Sequence, residues 1–149
     1  MKINIKSNKG VTVTGLVIYV SSFFMICAVI GIITTFFYNN TKFLSSEATA
    51  SAEYDVLNAY LAKEAKTEGN KVILEDDETI QFTNGNQYIF EKEIDADYGQ
   101  IYLYNATTKK YFIVANYVQR AEFSSVLNSF TMELEILGKT YTQTYNLAD

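Results

Sequence analysis

The chain has 149 residues, a net charge of −5, no histidine or proline, and a single cysteine that allows no intrachain disulfide. Without histidine, Ser-His-Asp and Cys-His catalysis and most zinc sites drop out together, so an enzyme would have to work with carboxylates, lysine or tyrosine. The excess of acids disfavours a direct grip on nucleic-acid phosphates or anionic lipid head groups.

Met1–Gly10 carries Lys2, Lys6 and Lys9 and no acid. With these three set aside, Lys plus Arg falls from 12 to 9 against 17 acids, leaving −8 on the side chains of the remainder. An uncharged stretch follows and lasts until Lys42. Within it Leu16–Tyr38 is 23 residues of mostly aliphatic and aromatic side chains. At ~1.5 Å per residue this predicts a helix of about 35 Å, enough to cross the roughly 30 Å hydrocarbon layer. Lysines on its N-terminal flank hold that end in the cytoplasm, so the chain beyond Tyr38 is expected outside. The run is longer than the apolar part of a secretory signal, and no small-residue exit follows it closely. Thr49-Ala50-Ser51-Ala52 comes well past the boundary. The segment therefore reads as one that stays in the membrane, with Cys27 a small hydrophobe within it.

Phe36, Phe37 and Tyr38 suit an aromatic belt, and Asn39-Asn40-Thr41 marks the outer interface. Ser45–Lys66, rich in Ala, Leu, Glu and Lys, reads as helix until Glu68-Gly69-Asn70 stops it. Leu44, Ala48, Ala52, Val56 and Tyr60, widened by Leu57 and Leu61, are expected to form its buried stripe. Stem and amphipathic part are expected to make one helix of roughly 50 residues, loosened near Asn39-Asn40. Beyond Gly69 the period becomes alternating. Val72–Leu74 and Thr79–Phe82 flank an acidic turn, and Asn84-Gly85 marks a tight hairpin into Gln87–Glu91. Ile101–Tyr104 and Tyr111–Val114 flank a second hairpin at Asn105–Lys110, Tyr117–Phe123 is strand-like, and Phe130–Ile136 alternates before Gly138-Lys139 turns into Thr140–Tyr145. The fold class is α+β: a long N-terminal helix, transmembrane then amphipathic, packed on an antiparallel sheet of six to eight strands. Residues 1–10 form a basic leader, 11–38 the membrane helix and 39–149 an extracytoplasmic domain.

Candidate chemistry is sparse. Glu75-Asp76-Asp77-Glu78 could gather a hard cation, but it falls where a hairpin must turn and reads as a solvated turn. Asp95-Ala96-Asp97-Tyr98-Gly99 resembles a calcium loop only at its start. Tyr98, Tyr102, Tyr104 and Tyr111 could stack on a sugar or base; the reading adopted is core and cross-strand packing. Arg120, the sole arginine, is expected to pair with Glu122 or Glu133. No glycine-rich phosphate loop is present, and no catalytic residue, cofactor or metal is assigned.

The leader ending Lys9-Gly10, followed by Val11-Thr12-Val13-Thr14-Gly15-Leu16-Val17, resembles the prepilin signal of type IV pilins and pseudopilins. The sheet region resembles minor pseudopilins of the J-type secretion and F-type competence classes. The resemblance implies cleavage by prepilin peptidase between Gly10 and Val11, with N-methylation at Val11 as the accompanying modification. It also implies assembly with other pilins or pseudopilins in a filament for secretion, DNA uptake or adhesion. The family usually has Glu at the fifth mature position, where it neutralises a neighbour's terminal amine; here that position is Gly15. The departure points to a minor subunit and away from a major, self-polymerising one.

The expectation is thus a non-enzymatic filament subunit in the bacterial cell membrane, crossing it once with the C-terminal domain outside. Its expected partners are prepilin peptidase, other pilins and the membrane, with no direct nucleic-acid binding. The alternative is an uncleaved signal-anchored protein with an extracytoplasmic sensor or binding domain. A tethered hydrolase using Glu91, Glu93 or Asp95 ranks third, because no spacing favours it.

Overall fold

The computed structural model describes residues 12–148. One helix, α1 (Val13–Ala65), precedes seven strands: β1 (Val72–Asp76), β2 (Thr79–Phe82), β3 (Gln87–Glu91), β4 (Gly99–Asn105), β5 (Lys110–Val126), β6 (Ser129–Ile136) and β7 (Lys139–Asn146). The strands pair in chain order as one antiparallel sheet, so the fold is α+β. The chain divides into two compact units, one ending at Phe43 and one beginning at Leu44.

In the first unit, Thr12 caps α1. Its Oγ1 accepts the Gly15 N–H at 3.2 Å, and its carbonyl accepts the Leu16 N–H at 3.0 Å. The helix continues unbroken through Asn39-Asn40, where a loosening was expected. Neither residue removes a backbone donor or bars the helical φ, so the ladder has no reason to open there. The side chains from Leu16 to Phe43 are exposed. The helix is long and apolar enough to cross a membrane.

In the second unit, the rest of α1 packs on the sheet. Its buried residues are Ala50, Leu57, Leu61, Glu64 and Ala65, with Tyr54 and Ala62 partly buried. The expected stripe is therefore corrected: Leu44, Ala48, Ala52, Val56 and Tyr60 are exposed, and only Leu57 and Leu61 of that set are core. A strict four-residue spacing drifts by about 40° per step around a helix of 3.6 residues per turn, so that row winds away from the sheet. Opposite the helix, Ile80, Phe82, Ile101, Leu103, Val118, Phe123, Met132 and Leu134 supply the strand side of the core.

The sheet is curled. The Asp77 carbonyl, in the β1–β2 turn, accepts the Phe123 N–H of β5 at 2.7 Å, and the Phe82 and Phe130 rings meet edge-on at 5.4 Å. Hairpin geometry follows the expected turn residues: Gly85 sits at φ 86°, and Leu137-Gly138 turn at φ 51° and 78° as a two-residue loop requires. After β7 the chain returns to the helix end, where the Ala148 N–H donates to the Ala65 carbonyl at 2.8 Å.

Candidate functional site

Three places concentrate unusual chemistry: the exposed stem, a buried carboxylate, and a groove at one end of β4. Of the residues singled out for processing, Lys9, Gly10 and Val11 lie outside the described residues. Gly15 is in the first turn of α1, where its N–H is taken by the Thr12 side chain. Further along, Ala28, Gly31, Ile32, Thr35 and Asn39 line a shallow groove on the stem. A Cβ at Gly31 would meet nothing within 4 Å, and Thr35 Oγ1 donates to the Gly31 carbonyl at 2.9 Å. Such a surface lets a second helix backbone approach closely.

The helix is held to the sheet by two carboxylates eleven residues apart, which three helical turns bring to one face. Glu64 is 6% exposed, yet both its oxygens are used. Oε2 accepts Nδ2 of Asn70 at 3.0 Å and of Asn84 at 2.6 Å, and Oε1 accepts Nδ2 of Asn86 at 2.6 Å. Three neutral amides thus solvate a buried charge, which would otherwise be costly. Asn86 carries the link onward, because its Oδ1 accepts the Ala106 N–H in the β4–β5 turn at 3.0 Å. Beside this cradle lies the fully buried Tyr88 hydroxyl, without a completed hydrogen bond. Burial, reinforced by the Glu64 charge, holds its pKa far above the ordinary tyrosine value. Sequence reasoning missed the cradle because a lone glutamate on a helix reads as solvent-facing; one amide partner, Asn70, follows the helix end, and the other two, Asn84 and Asn86, come from a turn 20 and 22 residues on.

Glu53 makes the second link. Its Oε2 accepts the Asn116 N–H at 2.8 Å; Asn116 Oδ1 in turn accepts Gln100 Nε2 at 2.9 Å, and Gln100 Oε1 accepts the Tyr102 hydroxyl at 2.7 Å. This relay borders a groove of about 970 Å³ lined by Glu78, Glu91, Glu93, Asp97, Tyr98 and Tyr117 among others. The groove exists because the β4–β5 register slips: Gly99 faces Val118 and Ile101 faces Ala115. Gln100 is thus opposed by both Asn116 and Tyr117, a bulge that re-aims side chains. Tyr117 takes φ 57°, and its ring meets Tyr98 edge-on at 6.1 Å. Any side chain at Gly99 would collide with the Glu91 carbonyl and the Phe90 ring, so glycine lets the strand close against the β3 end.

No family model, curated protein or solved structure matches this chain. Its own geometry therefore carries the functional argument.

The remaining sequence-derived candidates resolve locally. The acidic run is only partly a turn: Glu75 and Asp76 end β1, and Asp77-Glu78 make the turn, where Asp76 Oδ1 accepts the Glu78 N–H at 2.9 Å. Among the described residues no group of three or more His, Cys, Asp and Glu is placed to hold a metal ion. Arg120 pairs with Glu122, Nη2 to Oε1 at 2.6 Å, as expected. The tyrosine reading needs correction. Tyr104 and Tyr111 do form a cross-strand pair at 5.0 Å, but Tyr98 and Tyr117 are 41% and 48% exposed in the groove. The tyrosines of the core are Tyr88 and Tyr145.

Proposed function

We propose that the chain is a minor pilin or pseudopilin: a non-enzymatic subunit of a type IV pilus-like filament, processed by prepilin peptidase between Gly10 and Val11. The observation that supports this most is the stem. An apolar helix exposed on every side has to bury its surface in lipid or against other helices. Here that helix follows a basic leader ending in Lys-Gly and precedes an antiparallel sheet domain. Lipid takes the stem before assembly, neighbouring stems take it afterwards, and Gly31 gives them a close approach. Gly15 offers no carboxylate to match a neighbour's terminus, which suits a subunit present in few copies. Before assembly the protein sits in the bacterial cell membrane with the sheet domain outside, its partners being the peptidase and other pilin-like subunits.

The experiment is a Gly10→Leu variant expressed beside the native chain in cells that carry prepilin peptidase. The native protein should shorten and co-purify with pilin-like subunits, while the variant stays full length and alone. Equal behaviour of the two would reject the proposal. A second reading, an uncleaved anchor with an extracytoplasmic binding domain, is favoured by the groove at Tyr98 and Tyr117. It predicts no dependence on the peptidase.

A further inference from the structure

The β4–β5 hairpin carries opposite charges at its two ends. At one end the groove gathers four acids, Glu78, Glu91, Glu93 and Asp97, against one lysine, Lys92, around the Tyr98–Tyr117 pair, and none of these acids is in an ion pair among the described residues. At the other end the turn presents Lys109-Lys110, the only adjacent cations in the sequence. Both lysines are exposed, and neither is ion-paired among the described residues. The six steps from Gly99 to Asn105 separate the two ends by about 20 Å, so one molecule cannot bring its own lysines into its own groove.

The backbone at both ends is tied into the sheet. The turn is fixed by Asn105, whose Oδ1 accepts the Thr108 N–H at 2.9 Å and whose carbonyl accepts the Lys109 N–H at 2.8 Å. Lys109 itself takes φ 55°, and the base of the turn is tied through Asn86 to Glu64. The groove is fixed by the bulge and by the Glu53–Asn116–Gln100 relay. The strand backbone at each end is thus held, and the ordering left for contact is that of the exposed side chains.

We propose that the Tyr98–Tyr117 groove receives the Lys109-Lys110 turn of a second copy of this chain. A lysine ammonium placed over a tyrosine face and beside carboxylates gains both cation–π and Coulomb attraction. The acidic balance of the domain makes random self-contact repulsive, so local complementarity selects the register. The contact is head-to-tail, the groove of one copy receiving the turn of the other. It does not depend on the filament reading, because anchored copies meet through the same surfaces.

The test is zero-length carbodiimide cross-linking of the full chain in nonionic detergent, with isotope-labelled and unlabelled protein mixed so that intermolecular products are recognised by mass. The expected products join Lys109 or Lys110 of one copy to Glu91, Glu93 or Asp97 of the other. Their yield should fall at least tenfold in Lys109→Glu/Lys110→Glu, in Glu91→Lys/Asp97→Lys, and at 0.5 M salt. Mixing the two charge-reversed variants should restore cross-links between them, with circular dichroism confirming that each variant is folded. A monomeric chain, cross-links concentrated elsewhere, or failure of the mixed variants to recover would overturn the proposal. So would a groove that captures lysine residues of another protein and never those of its own copy.

Discussion

Residues 13–43 and residues 44–65 belong to one α-helix, yet they meet the rest of the world by opposite rules. The first stretch is apolar on every side and exposed along its length; among its described residues the capping threonine and a Thr35–Gly31 bond are the side-chain hydrogen bonds. The second stretch buries a narrow face and then fixes it with polar chemistry, through Glu53, Asn58 and Glu64. Apolar surface alone gives adhesion without a register, since any apolar neighbour serves. Charged and amide groups at set positions give a single fit. The stem thus carries surface without a set register, and the sheet-bound part carries a single fit.

That contrast can be broken by cavities. Leu61→Ala should destabilise the sheet domain by about 3 kcal/mol, since it empties a fully buried site. Ile32→Ala, an equally large truncation on the stem, should leave the same urea transition unmoved. A shared shift would mean that the two stretches are not independent.

Glu64→Ala comes next. It strips the acceptor from three amides and should cost about 2–3 kcal/mol, with Glu64→Gln recovering only part because its own amide group faces donors. Glu53→Ala, at a less buried link, should cost roughly 1 kcal/mol. Denaturant titration of the three variants ranks them.

A third effect is confined to alkaline pH. Tyr88 and Tyr145 have folded-state pKa values raised by burial above the unfolded value of 10.0. A proton is therefore held more tightly in the folded state. The associated stability is fully present below pH 10 and declines as pH rises from there toward the folded values. Tyr88→Phe should flatten that decline while changing stability little at pH 7, because the hydroxyl it removes is buried beside Glu64 without a completed hydrogen bond. Thermal melts between pH 7 and 11 decide it.

The smallest effect lies at the surface. Lys139 reaches Glu47 at 3.1 Å with both side chains well exposed, so Lys139→Ala should change stability by less than about 0.5 kcal/mol. A larger loss would show that this pair helps to fix the helix.

Much of the sheet was legible. Asn84-Gly85, Asn105–Lys110 and Gly138 announced hairpins, and alternation in Phe130–Ile136 announced a strand with one buried face, because turn chemistry and period 2 are local properties. The helix face was less so. Leu57 and Leu61 are core as their spacing implies, but the four-residue row Leu44, Ala48, Ala52, Val56 and Tyr60 lies off the buried face, since apolar residues cover both sides of α1. Neither the Glu64 cradle nor the Tyr98–Tyr117 groove could be read from the sequence. The cradle joins residues whose pairing depends on how the β2–β3 turn reaches the helix end. The groove depends on a register slip of β5, and no residue type in Asn116-Tyr117 signals a bulge. The stem, by contrast, was evident from composition alone.

The central claim is that the stem is released from its leader to pack against other stems. Intact-mass analysis of the protein extracted from membranes of cells containing prepilin peptidase tests it most directly. The account predicts a chain that begins at Val11, lighter by the ten residues from Met1 to Gly10. A chain that still carries Met1 in the presence of the active peptidase would contradict it.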